Sequence, residues 1–384
     1  MAAAKKARRR RVAVIGGGPA GLAAGRYLSE FGHTPVIFEA GSAVGGIWAP
    51  EPVNKVVYQG LVTNIPTVCM QSFDLDFEPQ LSSYIRASEL GSYLARYAKY
   101  FDLHRHVRFG CRVTNVRSCG SEEVSEEWEV SWRSGVHDES DIFDAVVVAT
   151  GHYDTPYLPE IPGQSEWLKA SSSRSIVHAI GYDDPAEFSG RSVLVVGGRS
   201  SGVDIARELR DKVAWLYVLE SGCQKVTSVG NSTHVPLGAE LTAAGTLQLA
   251  SQALPGPAVD VVILATGYTY AFPFLDEASL GLDFGPARRY VAPLYQHVIH
   301  AKQPNLCFLG LPLAVPCPVA LFEAQARLVS AHLSQGWSTE AQRHEWVTKR
   351  FESVAHRPQD FHFLGNEAWD YMRALVSEAG MPAD

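Results

Sequence analysis

The apolar positions of the chain fall into two patterns. Short, mainly apolar runs, most of them rich in β-branched residues, recur at Arg11–Ile15, Thr34–Glu39, Asp144–Ala149, Ser192–Val196, Ala214–Leu219 and Asp260–Ala265. Unbroken runs of this length predict parallel strands buried on both faces. Between the first two runs, and again between the fourth and fifth, helical periodicity predicts a helix from Gly21 to Phe31 and another ending at Leu209. The result is two β-α-β units, the one internal repetition visible in the chain. Ser88 before Glu89-Leu90 predicts a further helix start, and that helix continues through Tyr93, Leu94, Tyr97 and Phe101, whose spacing suits packing into a core. Val107–Phe109, Val113–Val116 and Trp128–Trp132 predict a small antiparallel layer. Val319–Leu333, Thr339–Val354 and Glu367–Glu378 predict helices, and Pro156, Pro159, Pro162 and Gly163 predict a linker. Residues 225–258 are small and polar and offer no motif. The expected fold is α/β: two Rossmann-like dinucleotide-binding domains, the second (156–269) inserted into the first (1–155 and 270–384).

Composition narrows the function classes. A chain of 384 residues exceeds one compact core, and 46% apolar content is ordinary for a globular protein. A net charge of −8 argues against a nucleic-acid partner. The one basic cluster, Lys5-Lys6-Ala7-Arg8-Arg9-Arg10-Arg11, reads as a solvated tail entering the first strand, or as a targeting or anionic-surface segment. No apolar run approaches the ~20 residues that span a bilayer. No apolar stretch follows the basic cluster as a secretory signal would require, and Ser377–Asp384 is polar. A cytoplasmic protein with no membrane partner is expected, and a homo-oligomer is left open. Six scattered cysteines form no C-x-x-C pair, so neither a redox dithiol nor a zinc site is expected, and reduced thiols suit the same compartment.

Gly16-Gly17-Gly18-Pro19-Ala20-Gly21 matches G-x-G-x-x-G between a strand and a helix. Gly16 allows the tight turn, Gly18 a close approach of pyrophosphate, and Gly21 close packing of helix on strand. The helix N-terminus offers N–H groups and positive dipole to the phosphates. Glu39, 23 residues after Gly16, ends the second strand, where a carboxylate accepts two ribose hydroxyls. Gly45-Gly46-Ile47-Trp48 follows; small residues there allow backbone to lie against a cofactor, or form an ordinary turn anchored by Trp48.

Gly197-Gly198-Arg199-Ser200-Ser201-Gly202 is a second such turn with Arg199 at the middle glycine. A side chain there crowds the pyrophosphate or, pointing outward, pairs with phosphate. Glu220 lies 23 residues after Gly197, the same interval as in the first unit. It favours a free 2′-hydroxyl and repels a 2′-phosphate unless it points to solvent. Discrimination against NADH is therefore expected to be weak. Two units imply two nucleotides, one a held flavin and the other an exchanging nicotinamide. Ala149-Thr150-Gly151 and Ala265-Thr266-Gly267 each end a strand with a step that turns the chain at a nucleotide's edge.

From Arg11 to Ala379 these residues resemble the flavin-containing monooxygenases, class B flavoprotein monooxygenases. Gly45-Gly46-Ile47-Trp48 is similar to the family's G-G-x-W, Thr63-Asn64-Ile65-Pro66 to its T-N-x-P loop, and Thr150-Gly151-His152-Tyr153 and Thr266-Gly267-Tyr268 to its A-T-G steps. His178-Ala179-Ile180-Gly181-Tyr182 matches the second half of the fingerprint F-x-G-x-x-x-H-x-x-x-Y, while Ser172 and Arg174 replace its Phe and Gly. Phe322-Glu323-Ala324-Gln325-Ala326-Arg327 resembles the late helix that returns to the flavin. No basic residue stands at Glu220 or Ser221 to hold a 2′-phosphate. The chain is shorter than the animal members, without their C-terminal membrane segment, and looks closest to the compact soluble ones.

The resemblance implies FAD as held cofactor and NADPH as donor, with NADH admitted by Glu220. It implies Gly16, Gly18, Pro19, Ala20, Gly21, Glu39, Gly46, Trp48, Thr63, Asn64, Val113, Thr150, Gly151 and Gln325 on the flavin side. Tyr182, Gly197, Ser200, Ser201, Gly202, Thr266 and Gly267 fall to the nicotinamide side. The resemblance further implies that hydride would pass to flavin N5, that dioxygen would add at C4a to give a hydroperoxide, and that a nucleophilic amine nitrogen or sulfide sulfur of a small substrate would take the distal oxygen. A dry pocket slows loss of hydrogen peroxide. No protein acid–base pair is required and no metal site is expected. Asn64 is the expected catalytic residue, its amide donating and accepting at once beside a peroxide and a nicotinamide amide; the alternative is a turn cap before Pro66. His178 is a contacting or a structural residue, and Gln325 a flavin contact or a helix-surface amide. Oxygen insertion beside a ketone and peroxide-producing oxidase activity are the competing activities; the missing C-x-x-C argues against a disulfide reductase.

Overall fold

The computed structural model describes residues 9–53, 56–119 and 126–380. Lys5–Arg8 of the basic cluster and the last four residues of the polar C-terminus lie outside the described residues. The chain forms two compact units: one of Met1–Asn54, Leu61–His152 and Tyr270–Asp384, the other of Lys55–Gly60 and Tyr153–Thr269. The fold is α/β, with a Rossmann-like parallel sheet in each unit.

The first unit is built on a seven-stranded sheet in the order Leu294–Tyr295, Ile299–His300, Leu306–Phe308, Ala145–Val148, Arg11–Ile15, Thr34–Phe38, Val107–Arg108. The last five of these run parallel. Successive side chains of a strand point to opposite faces, and the first strand shows why its run is apolar after Arg11. Val12 and Val14 enter a core with helices Pro19–Glu30, Pro318–Gln335 and Ala368–Glu378. Ala13 and Ile15 enter another with Phe38, Trp128, Trp132 and Phe308. That second core is closed by an antiparallel layer of Cys111–Cys119, Glu127–Ser134 and His137–Phe143.

Several expectations need correction here. Val107–Arg108 belongs to the parallel sheet, paired with Ile37–Phe38, and not to the antiparallel layer. The chain turns at Gly110 (φ 64°) before the layer begins. The layer's third strand, His137–Phe143, was not foreseen, because its side chains are mostly exposed and polar and only Phe143 is buried. The helix expected from Ser88 spans Ala87–Tyr100, its Glu89 carboxylate accepting the Arg86 N–H at 2.8 Å.

The second unit has a six-stranded sheet in the order Thr227–Val229, Ser232–Val235, Trp215–Leu219, Ser192–Val196, Val261–Leu264, Ser175–His178, parallel except at Thr227–Val229. Residues 225–258, without motif, fold as two of these strands and as a small sheet of Glu240–Leu241, Leu247–Leu249 and Gln252–Ala253. The proline-rich stretch expected as a linker is packed structure. Ile161 and Trp167 are core residues, the Pro162 carbonyl accepts the Leu241 N–H at 2.9 Å, and a methyl on Gly163 would stand 1.9 Å from the Leu241 carbonyl oxygen. Residues 56–60, distant in sequence, are held in this unit. The Tyr58 hydroxyl donates to Asp204 at 3.1 Å, the Gln59 N–H to Asp183 at 3.2 Å, and the Tyr58 ring meets Tyr182 edge-on at 5.7 Å.

In each unit the strand that leads into a glycine turn is central. Arg11–Ile15 lies between Thr34–Phe38 and Ala145–Val148, and Ser192–Val196 between Trp215–Leu219 and Val261–Leu264. The order reverses at that strand, which opens a crevice beyond its carboxyl end, the place where open parallel sheets bind nucleotides. Among the described residues no helix is long and apolar enough to cross a membrane.

Candidate functional site

The first glycine turn is fixed by contacts that exclude larger residues. Gly16 has φ 107° and donates its N–H to the Phe38 carbonyl at 2.8 Å; a methyl on it would stand 2.5 Å from the Ala149 carbonyl oxygen. A methyl on Gly21 would stand 1.9 Å from the Gly16 carbonyl oxygen. The helix begins at Pro19, whose missing N–H costs nothing at that position. Gly18 at the N-cap brings no side chain to the first-turn N–H groups, and no acidic residue stands in that turn. Both features leave the turn suited to an anion.

Glu39 is buried beside this turn. One carboxylate oxygen accepts the Gly17 N–H at 2.8 Å and the other the Gly41 N–H at 2.6 Å. Each oxygen keeps a lone pair, enough for a ribose diol. The Gly45 N–H donates to the Gly17 carbonyl at 2.9 Å, and Gly46 (φ 60°) lies over Gly18 so closely that a methyl on it would stand 3.1 Å from the Gly18 Cα. Gly45-Gly46 therefore closes one side of the turn. Trp48 packs on the cluster of Leu90 and Tyr93. Its carbonyl requires Gly91, where a methyl would stand at 2.2 Å. Gly91 was not singled out from sequence; a lone glycine inside a helix was its signal.

The remaining flavin-side positions are placed as follows. Thr63 pairs with Ile85, its N–H donating at 2.8 Å and its hydroxyl accepting at 3.1 Å, and Asn64 follows it with an exposed side chain. The short helix Thr67–Met70 starts after Pro66 with no side-chain cap. Val113 is buried opposite Trp132, where the strand register shifts. Thr150 and Gly151 (φ 76°) are exposed just beyond Ala149, whose N–H donates to Ile15 at 2.9 Å. Ala20 packs under Gly310. Gln325 is fully buried rather than on a helix surface: its oxygen accepts the Gly310 N–H at 2.9 Å and its nitrogen donates to the Tyr371 hydroxyl at 3.0 Å. It holds the Gly310 turn over Ala20.

Behind the first turn lies a polar cluster that sequence reading did not assemble. The Arg26 guanidinium and the fully buried Glu323 pair at 2.9 Å, joined by Asp74 and Glu30 on the arginine and by the Ser72 and Tyr97 hydroxyls, at 2.7 and 2.9 Å, on the glutamate. It fastens helix Pro19–Glu30 to helix Pro318–Gln335. No sequence spacing marks it, since Arg26 and Glu323 lie at opposite ends of the chain.

The second turn repeats the first. Gly197 has φ 122° and donates to the Leu219 carbonyl at 2.8 Å; a methyl on it would stand 2.2 Å from the Ala265 carbonyl oxygen. A methyl on Gly202 would stand 1.8 Å from the Gly197 carbonyl oxygen. Arg199 is the N-cap and is exposed, and Ser200 and Ser201 are exposed in a first turn without acidic residues. Glu220 turns toward Gly198, where a methyl would stand 2.2 Å from its Oε2, and its Oε1 accepts from His234 Nδ1 at 2.9 Å. His234 lies in the stretch without motif, and no sequence signal pointed to it.

The last three positions are tied within the second unit. The Thr266 hydroxyl donates to the Tyr157 carbonyl at 2.5 Å. The Gly267 carbonyl accepts the Tyr157 N–H at 2.9 Å and a His178 ring N–H at 3.0 Å, while the other His178 nitrogen accepts the Ile180 N–H. Burial pushes the His178 pKa down, so its neutral ring acts as a clamp between Ser175–His178 and the Thr266-Gly267 step. Tyr182 is buried, its hydroxyl donating to Glu208 at 2.8 Å and its ring between Phe188 and Tyr58. Burial and the neighbouring carboxylate hold its pKa well above the ordinary phenol value.

The glycine cradles, the buried ribose-type carboxylate and the anion-ready helix start thus fit a dinucleotide in the first unit, and the second unit offers a near copy. Comparison with known proteins agrees. The model of the flavin-binding monooxygenase-like family matches residues 9–236 and 242–368. The flavin-containing monooxygenase FMO GS-OX-like 2 of Arabidopsis thaliana is 35% identical over 361 residues, 85% of this chain and 74% of its own. The senecionine N-oxygenase of Tyria jacobaeae is 28% identical over 97% of this chain and 83% of its own. The solved structure of S-allyl-L-cysteine S-oxygenase from Allium sativum superposes with a TM-score of 0.88 at 28% identity, covering 98% of this chain and 90% of that one.

Proposed function

This chain belongs to the flavin-binding monooxygenase-like family and is a flavin-dependent monooxygenase; from that premise we propose that it transfers one oxygen atom of dioxygen to a nucleophilic nitrogen or sulfur of a small molecule. The observation that carries the reading is the Glu39 carboxylate fixed on the Gly17 and Gly41 N–H groups beside a glycine turn. Similarity to an N-oxygenase and to an S-oxygenase supports both nucleophile classes.

FAD, when bound, accepts hydride from a reduced nicotinamide dinucleotide and activates dioxygen. The chain's own residues do the rest. Gly16, Gly18, Pro19, Ala20 and Gly21 shape a phosphate cradle at the helix start, and Glu39 accepts the ribose hydroxyls. Gly46 closes one side of that cradle, and Trp48, Val113, Thr150 and Gly151 are assigned to the flavin by the family resemblance. Thr63, fixed on Ile85, presents Asn64. The Asn64 amide donates to and accepts from groups at the reacting oxygen, which favours transfer over release of hydrogen peroxide. Gly197, Ser200, Ser201 and Gly202 receive the phosphates of the nicotinamide donor. The substrate nucleophile needs no protein base, because a neutral amine or sulfide attacks with its own lone pair.

The test is oxygen consumption by purified protein with NADH or NADPH, with and without a tertiary amine or a thioether, followed by product mass. A product heavier by one oxygen atom at nitrogen or sulfur is expected. A lactone or ester from a ketone, or peroxide with no oxygenated product, would replace this reading. A preparation that stays colourless after incubation with FAD would overturn it.

A further inference from the structure

We infer that Glu220, held by His234, makes the second nucleotide fold select an adenosine ribose with a free 2′-hydroxyl, so that NADH is the favoured electron donor. The inference rests on the assignment of that fold to the nicotinamide donor under the proposed function.

Glu220 stands to Gly198 as Glu39 stands to Gly17. Each follows the first glycine of its turn by 23 residues, each comes directly after the second strand of its unit, and each turns a carboxylate oxygen toward the second glycine. A methyl on Gly17 would meet Glu39 Oε2 at 2.9 Å, and one on Gly198 would meet Glu220 Oε2 at 2.2 Å. In the first unit the carboxylate's other oxygen is fixed by the Gly41 N–H. In the second it is fixed by His234 Nδ1 at 2.9 Å. A different donor thus does the same work, keeping the acid from swinging out to solvent.

His234 is positioned by backbone geometry. Ser232–Val235 runs parallel to Trp215–Leu219 with Val218 opposite His234, and the Glu220 N–H donates to the Val235 carbonyl at 3.1 Å. The histidine and the glutamate therefore sit on adjacent strand ends with their side chains on one side. A ribose diol donates hydrogen bonds to such a carboxylate, whereas a 2′-phosphate brings like charge to it. His234 is the side chain that hydrogen-bonds Glu220. Arg199 occupies the middle-glycine position, which in this fold faces the pyrophosphate.

Equilibrium binding of NAD+ and NADP+ to the FAD-loaded protein tests this directly, by calorimetry and independently of turnover. NAD+ is expected to bind at least about tenfold more tightly, a difference of ~1.4 kcal/mol. Glu220→Gln, close to isosteric, is expected to erase that preference, largely by improving NADP+ binding. His234→Ala is expected to lower the NAD+/NADP+ preference with flavin content and melting temperature retained, and His234→Asn, which restores a side-chain N–H, to recover part of it. Equal or tighter binding of NADP+ by the wild-type protein overturns the inference and leaves the monooxygenase reading standing. So does an unchanged ratio in Glu220→Gln. Binding of neither nucleotide by a flavin-loaded preparation would overturn both.

Discussion

A methyl group on Gly21 would stand 1.9 Å from the carbonyl oxygen of Gly16, so the first helix can begin where it does only with a hydrogen at that position. Gly21→Ala must push the helix start off the strand end and spoil the phosphate cradle. The variant is expected to purify with little flavin. Gly202→Ala, with the equivalent clash of 1.8 Å against Gly197 in the other unit, is expected to stay yellow but lose nicotinamide binding. The ratio of flavin to protein absorbance and the binding isotherms for NAD+ and NADP+ separate the two. Equal flavin loss in both variants would show that the two turns do not serve different nucleotides.

Glu39→Ala removes the acceptor of two backbone N–H groups and the partner of a ribose. Each unpaired buried donor costs about 1–3 kcal/mol. A fall of at least about tenfold in FAD affinity is therefore expected, read as flavin lost on dialysis. Retention equal to wild type would remove Glu39 from the cofactor site.

Asn64→Ala is expected to keep its flavin and to oxidise the nicotinamide with hydrogen peroxide released and little oxygenated product. The measurement is the ratio of product to nicotinamide consumed, with peroxide assayed alongside. Wild-type coupling in this variant would leave Asn64 with no part in oxygen transfer.

The Arg26–Glu323 pair predicts a stability effect away from any nucleotide. Glu323→Leu leaves the 6%-exposed arginine beside apolar surface with one carboxylate fewer. Breaking a buried pair from one side costs about 3–5 kcal/mol. The double change Arg26→Met with Glu323→Leu is expected to cost less than the single one, because neither charge is then stranded. Denaturant unfolding of the three proteins decides this, and a double variant as unstable as the sum of both singles would refute it.

Two buried histidines weaken the fold in acid. Burial pushes His300 down to about 4 and His362 down to about 3. Unfolded, each titrates at ~6.5. Both are neutral in the fold, so their contribution is complete above pH ~6.5 and is lost as pH falls from there through about 4 and then about 3. The loss by pH 4 is on the order of 3 kcal/mol for each group. His300 donates to the Leu280 carbonyl at 3.0 Å and accepts the Gln303 N–H at 2.9 Å, an arrangement that only a neutral ring satisfies. In His300→Asn the slope of stability against pH between 6 and 4 is expected to flatten. An unchanged slope would remove His300 from the acid response.

What the sequence disclosed follows a physical division. Gly16, Gly21, Gly197 and Gly202 were legible because a carbonyl oxygen leaves no space for Cβ, so the backbone itself dictates the residue type. The strand Ser192–Val196 was legible to the residue, since all five side chains are buried and the four after Ser192 are apolar. His137–Phe143 was illegible for the converse reason, a strand whose hydrogen bonds are satisfied by its neighbour while its side chains face water. His234 could not be read because its meaning depends on the register between two strands, which is a tertiary property. Gln325 and Glu323 sit in a helix buried nearly all round, where a polar residue marks an internal partner rather than an outer face. The proline-rich stretch misled because proline signals a break in regular structure, which is not the same as a lack of packing.

The short strip around Tyr58 bears on how such a protein can be taken apart or recombined. Because residues 56–60 clasp Asp204, Asp183 and the Tyr182 ring, a fragment cut at 153 and 269 would be an incomplete module. A chimera that imports this region from a relative must import the distant strip as well, or its aromatic pair will be mismatched. Grafting this unit therefore means moving two separated segments of the chain together, and a change at Tyr58 bears on residues more than a hundred positions further along.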